Sequence, residues 1–374
     1  MTYGTVNADT LVTSTSGGIL GAGNASIMKN RIINGSCVID QRNAGASSTP
    51  AATGGGTYTI DRFLFQASQA SKFTVGQNLN SISPPVGFTK YLGFQVASSY
   101  SIGASDYFRL GQAIEGFNIA DLGWGTANAK TITLSFQVYS SLTGTFGGGI
   151  QSNGSGYSYP FSVTVTSANT WTPVTVTIVG PTTGTFPTDN TTGMTIWWSL
   201  GTGSTYSGTA GSWSANNYFS STGAVSVVGT ASATFYITGV QLEVGSSATG
   251  YEYVNYQTSL ANCQRYYYKI LGTSSGNTLA LAFARNTTTA QSYANFQVPM
   301  RTAPTALETS GTATDYQVVY LTTSATCNSV PTFDKATVFG SDIYFVVASG
   351  LTAGQCVKSA ANSNSGYLAW SAEL

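Results

Sequence analysis

Apolar residues alternate with polar ones along most of the chain, which is the pattern of β-strands with one buried face. Thr, Ser or Gln occupies most of the intervening positions. We therefore predict antiparallel sheets, each wet on one side and packed as a sandwich. The clearest alternating runs before residue 245 are Ile132/Leu134/Phe136/Val138, Phe161/Val163/Val165, Val174/Val176/Ile178, Ile196/Trp198/Leu200 and Ala224–Val228.

The stretch FYITGVQLEV, residues 235–244, changes the parity of its alternation. Phe235 and Ile237 share one parity, whereas the apolar residues Val240, Leu242 and Val244 share the other. Gly239 lies where the parity changes, and a β-bulge there would keep both sets on one core. We predict one bulged strand that ends at the loop GSSATG.

A second set of alternating runs follows residue 271, which predicts a further all-β domain. Between the two sets, Ser259 is placed to cap a short helix that continues through Lys269. The strand faces of the second domain are predicted at Leu279/Leu281/Phe283, Phe296/Val298/Met300, Val318/Tyr320, Ile343/Phe345/Val347 and Leu368/Trp370/Ala372.

Only 7% of the 374 residues are charged, and the formal net charge is zero. Between Lys130 and Glu243 the single charged residue is Asp189, so hydroxyl and amide groups must provide the contacts of this surface with water. Nucleic-acid binding needs clustered Lys and Arg, which the sequence lacks. The first residues have neither a basic start nor an apolar run, and no stretch reaches the length of a membrane span. We expect synthesis in a cytoplasm and no membrane insertion.

The absence of histidine excludes Ser-His-Asp and Cys-His nucleophile systems. The four cysteines form no CxxC pair, so a zinc site is not predicted. Cys327 and Cys356 lie in one predicted domain and could pair, but buried reduced thiols are expected in a chain made in a cytoplasm. We therefore predict no catalytic residues.

Glycoside hydrolysis needs two carboxyl groups across a cleft. Glu115 in QAIEGF and Glu243 in VQLEVG are the strand acids that would have to face a common groove. The alternative reading, which we favour, pairs each acid with an arginine such as Arg62 or Arg109. We therefore predict that the protein is not an enzyme.

Two long loops rich in Gly and Ser combine flat aromatic rings with amides, the groups that contact the C–H patches and hydroxyls of sugars. A lone aromatic in such a loop usually covers the sandwich edge, but several together favour glycan binding. Trp124 lies in a third Gly-rich turn. The predicted glycan-binding residues are Tyr157, Tyr159, Tyr206, Trp213, Asn216, Asn217 and Tyr218.

Five motifs appear together in one order: MKNRIINGSCVIDQRNAG (28–45), YTIDRF (58–63), LGQAIEGFNIADL (110–122), TLSFQVYSSLTGTF (133–146) and ITGVQLEVGSSATGYEY with CQRYYYK (237–269). In this combination the chain resembles tailed-phage virion fibre proteins. In those proteins a jelly-roll domain like the carbohydrate-binding modules closes with a VQLE strand and leads into a CQRYY helix. Jelly-rolls of that kind often hold a structural calcium, to which Asp40, Asp61 or Glu243 would contribute. No D-x-D-x-D run is present, so no metal and no cofactor are predicted.

The resemblance implies an anchoring segment at 1–28, a jelly-roll domain at 29–257, a helical joint at 258–270 and a C-terminal β domain at 271–374. It implies a virion fibre or appendage subunit. The partners that it implies are further copies of the chain in a homotrimer, tail or capsid proteins bound through residues 1–28, and host-surface glycans. Two alternatives remain: a capsid decoration or head-fibre protein, and a polysaccharide-degrading tailspike. The predicted location is the virion.

Overall fold

The computed structural model describes residues 11–12, 19–20, 29–51, 56–153 and 156–374. Within them the protein is all-β, with sheets that are almost wholly antiparallel and a single α-helix. The predicted fold class is therefore confirmed. Of the predicted anchor, the structure describes only the short strand pair β1 (Leu11–Val12) and β2 (Ile19–Leu20); the rest of 1–28 lies outside the described residues.

The first domain is a jelly-roll sandwich of two sheets with one shared core. The six-stranded sheet has the order β10-β9-β12-β7-β4-β3, and the five-stranded sheet has the order β11-β8-β15-β6-β5. The strands and their bounds are β3 (Thr57–Ile60), β4 (Phe63–Ala67), β5 (Phe73–Gln77), β6 (Leu92–Val96), β7 (Tyr107–Glu115), β8 (Ile132–Ser140), β9 (Gly144–Ser152), β10 (Ser158–Val165), β11 (Thr172–Ile178), β12 (Thr192–Thr202), β13 (Ser207–Gly208), β14 (Ser220–Ser221) and β15 (Thr234–Val244).

The bulge predicted in the last strand of this sandwich is present. The register of β15 against β8 shifts between Thr238 and Gln241, and Gly239 has a φ of 63°. Phe235, Ile237, Val240 and Leu242 consequently all reach the same core. Val244, beyond the bulge, is 41% exposed and does not belong to that core.

Residues Ala224–Val228, which the alternation predicts as a strand, form none. They follow β14 as an irregular turn and a 3₁₀ turn at Val227–Gly229. Val227 and Val228 are buried as neighbours, which a strand with one wet face does not allow. Further 3₁₀ turns are Leu79–Ser81, Gly116–Asn118, Ala120–Leu122, Ser204–Tyr206 and Ala313–Asp315.

The helix α1 spans Tyr256–Gln264 and begins earlier than predicted. Asn255, not Ser259, is its N-cap, since the Asn255 side chain accepts a hydrogen bond from the backbone N–H of Thr258 at 2.8 Å. The helix also ends before Lys269, because residues 267–271 pair with the last strand of the chain. None of the helices in the described ranges is long and apolar enough to cross a membrane.

The second domain packs a seven-stranded sheet, in the order β21-β20-β24-β17-β18-β23-β22, against a three-stranded sheet, in the order β16-β25-β19. Its strands are β16 (Tyr267–Leu271), β17 (Thr278–Ala284), β18 (Thr289–Asn295), β19 (Glu308–Thr309), β20 (Tyr316–Tyr320), β21 (Thr323–Thr326), β22 (Thr332–Thr337), β23 (Gly340–Val346), β24 (Cys356–Ala361) and β25 (Tyr367–Ser371).

Two of its predicted strand faces are wrong. The register of β17 against β24 shifts between Thr278 and Ala280, so Leu279 is buried while Leu281 and Phe283 face solvent. Phe296 and Met300 are buried, but residues 296–300 lie beyond the end of β18 and form no strand. The predicted faces at Ile343/Phe345/Val347 and Leu368/Trp370/Ala372 are buried as expected.

Candidate functional site

The long connection from β12 to β15 lies across the outer face of the six-stranded sheet. Glycines in β9 permit this close approach: a Cβ on Gly147 would lie 2.3 Å from the Oγ of Ser220, and one on Gly149 would lie 3.0 Å from the Cα of Phe219. On the core side, a Cβ on Gly148 would lie 2.3 Å from the Phe161 ring. The sequence GGG therefore allows a loop to pack directly on a strand.

Within this connection is a cavity of about 360 Å³. Trp213 and Tyr218, both predicted glycan-binding residues, are among the residues that line it. The remaining lining is rich in hydroxyl groups and contains no charged side chain, the residues being Ser207, Gly208, Thr209, Ser212, Ser214 and Thr222. Aromatic rings beside neutral hydroxyls match the C–H and O–H groups of a sugar ring.

Trp213 is held in place by several other aromatic residues. Its ring stacks on Tyr157 with centroids 5.3 Å apart and planes 8° apart, and it contacts Trp124 and Tyr159 at the same centroid distance. Its indole N–H donates to the carbonyl of Val179 at 2.8 Å. Trp213 therefore fastens the loop to the sandwich edge as well as lining the cavity.

Tyr157 and Tyr159 differ in exposure. Tyr159 is 9% exposed and belongs to the sandwich core, where burial raises the pKa of its hydroxyl. Tyr157 is half-buried, and its hydroxyl lies 3.1 Å from that of Thr183. Both rings support Trp213, and neither lines the cavity beneath the loop.

The predicted amides lie on the exposed rim of the same loop. The Nδ2 of Asn216 donates to the Oγ of Ser214 at 2.7 Å. The Oδ1 of Asn217 accepts from the Nε2 of Gln151 at 2.6 Å, and the Oε1 of Gln151 accepts from the indole N–H of Trp197 at 2.7 Å. This chain of hydrogen bonds connects the loop to the face of the sheet.

Tyr206, the remaining predicted residue, belongs to a second aromatic group on that face. Its ring stacks on Phe219 at 4.7 Å, and Tyr107 meets both rings edge-on. The Arg109 guanidinium lies between Phe219 and Trp197, 3.8 Å from each ring centroid. Its Nε and Nη2 donate to the Oε1 of Gln66 at 3.0 and 2.6 Å.

Arg109 has no acidic partner within ion-pair distance among the described residues. Burial lowers its pKa to about 10, so it keeps its charge at neutral pH. The sequence interpretation missed Arg109, Trp197 and Phe219. Trp197 was detectable, because it lies on the outward parity of a strand whose inward residues are Ile196, Trp198 and Leu200.

Glu115 pairs with Arg265 and Tyr266, which lie between α1 and β16, not with Arg62 or Arg109 as expected. Its carboxylate accepts from the Nε of Arg265 at 3.0 Å and from the hydroxyl of Tyr266 at 2.6 Å. Burial raises its pKa, but these hydrogen bonds outweigh burial and hold the pKa below its usual value. Such an acid stays ionised, which does not suit a general acid.

Glu243 is satisfied locally. It accepts from the backbone N–H of Thr249 at 2.8 Å, from the Thr249 hydroxyl at 2.6 Å and from the Nε2 of Gln241 at 2.8 Å. Lys29 lies 3.9 Å away. Arginine is therefore not its partner either, and its contacts share no residue with those of Glu115.

The candidate calcium ligands also have protein partners. Asp40 accepts backbone N–H groups of Asn43 and Gly45, and Asp61 accepts two hydrogen bonds from Gln41. In the described parts of the chain, no group of three or more His, Cys, Asp or Glu side chains is placed to hold a metal ion. All four cysteines are free, with Cys356 exposed and Cys37, Cys263 and Cys327 buried.

Neither a protein-family model nor a curated protein sequence matches the chain. Among solved structures, the chain is similar to the enzymatically active domain of tailspike protein 4 of bacteriophage CBA120, with 11% identity over 58% of this chain and a TM-score of 0.33. It spans 22% of that tailspike chain.

Two carbohydrate-binding modules are also similar. A CBM4 structure has 16% identity, covering 57% of this chain and 98% of its own, with a TM-score of 0.28. The family 11 module of Clostridium thermocellum, in complex with a β-1,3-1,4-mixed-linked tetrasaccharide, has 12% identity, covering 55% and 98%, with a TM-score of 0.26. Similarities this distant carry no argument about function, and the jelly-roll assignment stands on the sheets described above.

Proposed function

We propose that the protein is a glycan-binding, non-enzymatic fibre or appendage subunit of a tailed-phage virion. The glycan part is supported by the cavity of about 360 Å³ that is lined by Trp213, Tyr218 and several uncharged hydroxyl residues. The neutral lining suits an uncharged sugar, since a ligand charge would find no partner there. The virion part is supported by the sequence resemblance alone.

The absence of catalysis is part of the proposal and is supported by the contacts of two acids. Arg265 and Tyr266 keep Glu115 ionised, and the carboxylate of Glu243 accepts hydrogen bonds from Thr249 and Gln241. Incubation with host capsular polysaccharide and lipopolysaccharide should release no oligosaccharide. Release that Glu115→Gln or Glu243→Gln abolishes would instead support the tailspike alternative.

The binding test removes one hydroxyl from the cavity. Thr209→Val replaces a lining hydroxyl by a methyl group of similar size, so a sugar that bonds there should bind about five- to tenfold more weakly, as expected for one lost hydrogen bond of about 1 kcal/mol. Binding of neutral host-surface oligosaccharides is measured by titration calorimetry after an array screen.

Thr205→Val is the matched control, because Thr205 is an exposed threonine of the same connection that does not line the cavity. Tyr218→Ala should weaken binding more, since it removes most of a side chain that lines the cavity. Equal affinity for wild type, Thr209→Val and Tyr218→Ala would exclude this cavity as the glycan site.

Location distinguishes the fibre from a capsid decoration. Antibody-gold labelling of purified particles should place the protein on the tail. Labelling distributed over the capsid would favour the head-fibre alternative, and unlabelled particles that contain none of the protein would refute a virion role.

A further inference from the structure

A second cavity, of about 350 Å³, lies where the jelly-roll domain meets the helix α1. It shares no residue with the glycan cavity. Residues 30–36, ahead of β3, line one part of it, and residues 251–254, between β15 and α1, line another. Sites for small molecules have volumes in this range and occur preferentially where domains meet. The cavity is therefore large enough for a small ligand.

Glu252 is the acidic residue among those that line this cavity. Its backbone N–H donates to the Oε1 of Gln241 at 2.8 Å, and its Oε2 accepts from the backbone N–H of Asn30 at 2.6 Å. Its other carboxylate oxygen has no hydrogen-bond partner among the described residues, and within them Glu252 forms no ion pair. The half-buried carboxylate therefore holds a fixed position with its charge uncompensated, which favours a ligand of opposite charge.

Two tyrosines adjoin Glu252 in the sequence and line the same cavity. The ring centroids of Tyr251 and Tyr253 are 5.1 Å apart, and Phe88 contacts them at 5.0 and 5.9 Å respectively. These contacts hold Tyr253 in place although it is 65% exposed. Aromatic rings attract a cation through their quadrupole, and a carboxylate beside them adds a full opposite charge.

The positive groups around the cavity already have partners. The Nε and Nη2 of Arg265 both donate to the carboxylate of Glu115. In the first turn of α1, the N–H groups of Thr258 and Ser259 donate to the side chain and the carbonyl of Asn255. An anion in the cavity would compete with these acceptors and be repelled by Glu252. A cation meets no such opposition.

We propose that this cavity binds a small polar ligand through an ammonium group, which Glu252, Tyr251 and Tyr253 recognise. The hydroxyl and amide groups of Ser36 and Asn262, which also line the cavity, suit hydroxyls beside the amine. Choline, ethanolamine and amino sugars share this chemistry. The inference does not rest on the proposed glycan site, because the neutral lining of that cavity disfavours the ligand charge that is required here.

The first experiment titrates choline, ethanolamine and glucosamine into the full chain, with binding measured by calorimetry and ligand-observed NMR. Two of these cations have uncharged counterparts of similar shape: the tert-butyl analogue of choline, and N-acetylglucosamine for glucosamine. The cations should bind, and the uncharged counterparts should bind about tenfold more weakly or less. Tightest binding of choline or ethanolamine supports a headgroup as the ligand, and tightest binding of glucosamine supports an amino sugar.

The charge is tested by Glu252→Gln, which keeps an acceptor for the Asn30 N–H and removes the negative charge. Affinity for the cation should fall about tenfold or more, because a charge-assisted contact becomes a neutral one. Glu308→Gln is the matched control, since it makes the same change in net charge in β19, away from the cavity. It should leave the affinity unchanged.

The ring is tested by Tyr253→Leu, which keeps apolar bulk and removes the aromatic face. Affinity should fall about three- to tenfold, and Tyr253→Phe should restore it. Tyr256→Leu is the matched control, because Tyr256 is 61% exposed, close to the 65% of Tyr253, and does not line the cavity. At such exposure neither substitution should impair folding.

The proposal is overturned if none of the three cations binds, if the uncharged counterparts bind equally well, or if the anion glucuronate binds more tightly than glucosamine. Binding that Glu252→Gln and Tyr253→Leu both leave unchanged would also overturn it. Tyr218→Ala, in the glycan cavity, should not alter cation binding. A protein that binds neutral glycan but no cation would therefore refute this site and leave the glycan site standing.

Discussion

At the scale of single residues, Asp61 shows how far burial shifts an acid in this protein. Its carboxyl is completely buried and accepts hydrogen bonds of 2.6 Å from the backbone N–H and the Nε2 of Gln41. Burial raises its pKa from 3.8 to about 6, although Arg42 and the Gln41 hydrogen bonds oppose the rise. The folded state therefore holds a proton that the unfolded chain releases at lower pH.

The contribution of Asp61 to the stability of the fold decreases as pH rises. A raised folded-state pKa stabilises the protein fully below the unfolded pKa of 3.8, and this contribution is lost as pH rises through about 6. The shift corresponds to about 3 kcal/mol. We predict that Asp61→Asn, which cannot ionise, improves in stability relative to wild type between pH 4 and pH 7. Urea unfolding of both proteins at pH 4 and at pH 7 measures their free energies of unfolding. The difference between variant and wild type removes the titration of the groups that both proteins share. A difference that is the same at both pH values would contradict the prediction.

The candidate glycan site shows which residue-level features the sequence could predict. Trp213 and Tyr218 were predicted because rings in a long Gly- and Ser-rich loop must either cover an edge or meet a ligand, and Trp213 does the first while lining a cavity suited to the second. Arg109 could not be predicted, since its contacts come from β12 and from the connection after it, far along the chain.

At the scale of strands, alternation predicted most core faces; it failed at one bulge, in β17, and at two runs that form no strand, residues 224–228 and 296–300. The bulge in β15 was visible because Gly239 marks the change of parity. The bulge in β17 carries no glycine, and Leu279 and Ala280 are buried side by side, so the run Leu279/Leu281/Phe283 reads as one face when it is two. Sequence periodicity cannot locate a bulge formed by residues that are common in strands.

Gly239 gives a test at this scale. Its φ of 63° is strained for any residue with a side chain, and a Cβ would lie 2.6 Å from the ring of Phe88. We predict that Gly239→Ala destabilises the protein by about 1–3 kcal/mol. Gly250→Ala is the control, because a Cβ there meets nothing within 4 Å and its φ is not in the left-handed region. Denaturant midpoints measure both; equal midpoints for the two variants would show that the bulge does not need glycine.

At the scale of the whole molecule, buried charges join the two domains. Glu373, near the end of the chain, accepts hydrogen bonds from Arg42 and Arg62 of the jelly-roll domain, and Arg62 is 1% exposed. Arg301 donates to the carbonyls of Asn190 and Glu373, at 2.8 and 2.7 Å, and so holds the terminal segment against the first domain. Composition shows how scarce charges are in this chain, but not that several of them gather at the domain contact.

Removing the charge of Glu373 should therefore lower the free energy of unfolding far more than is usual for a substitution near the end of a sequence. Glu373→Gln leaves Arg62 charged and buried without its carboxylate, and breaking a buried pair in this way costs about 3–5 kcal/mol. Asp121→Asn is the control, because Asp121 is 44% exposed and pairs with Arg31 at the surface, where such pairs are worth about 0–1 kcal/mol. Equilibrium unfolding in urea gives both free energies. If Glu373→Gln costs no more than Asp121→Asn, the charges at the domain contact are not what holds the two domains together, and the packing of Tyr266 against the Arg62 guanidinium, 3.6 Å from its ring centroid, becomes the contact to test next.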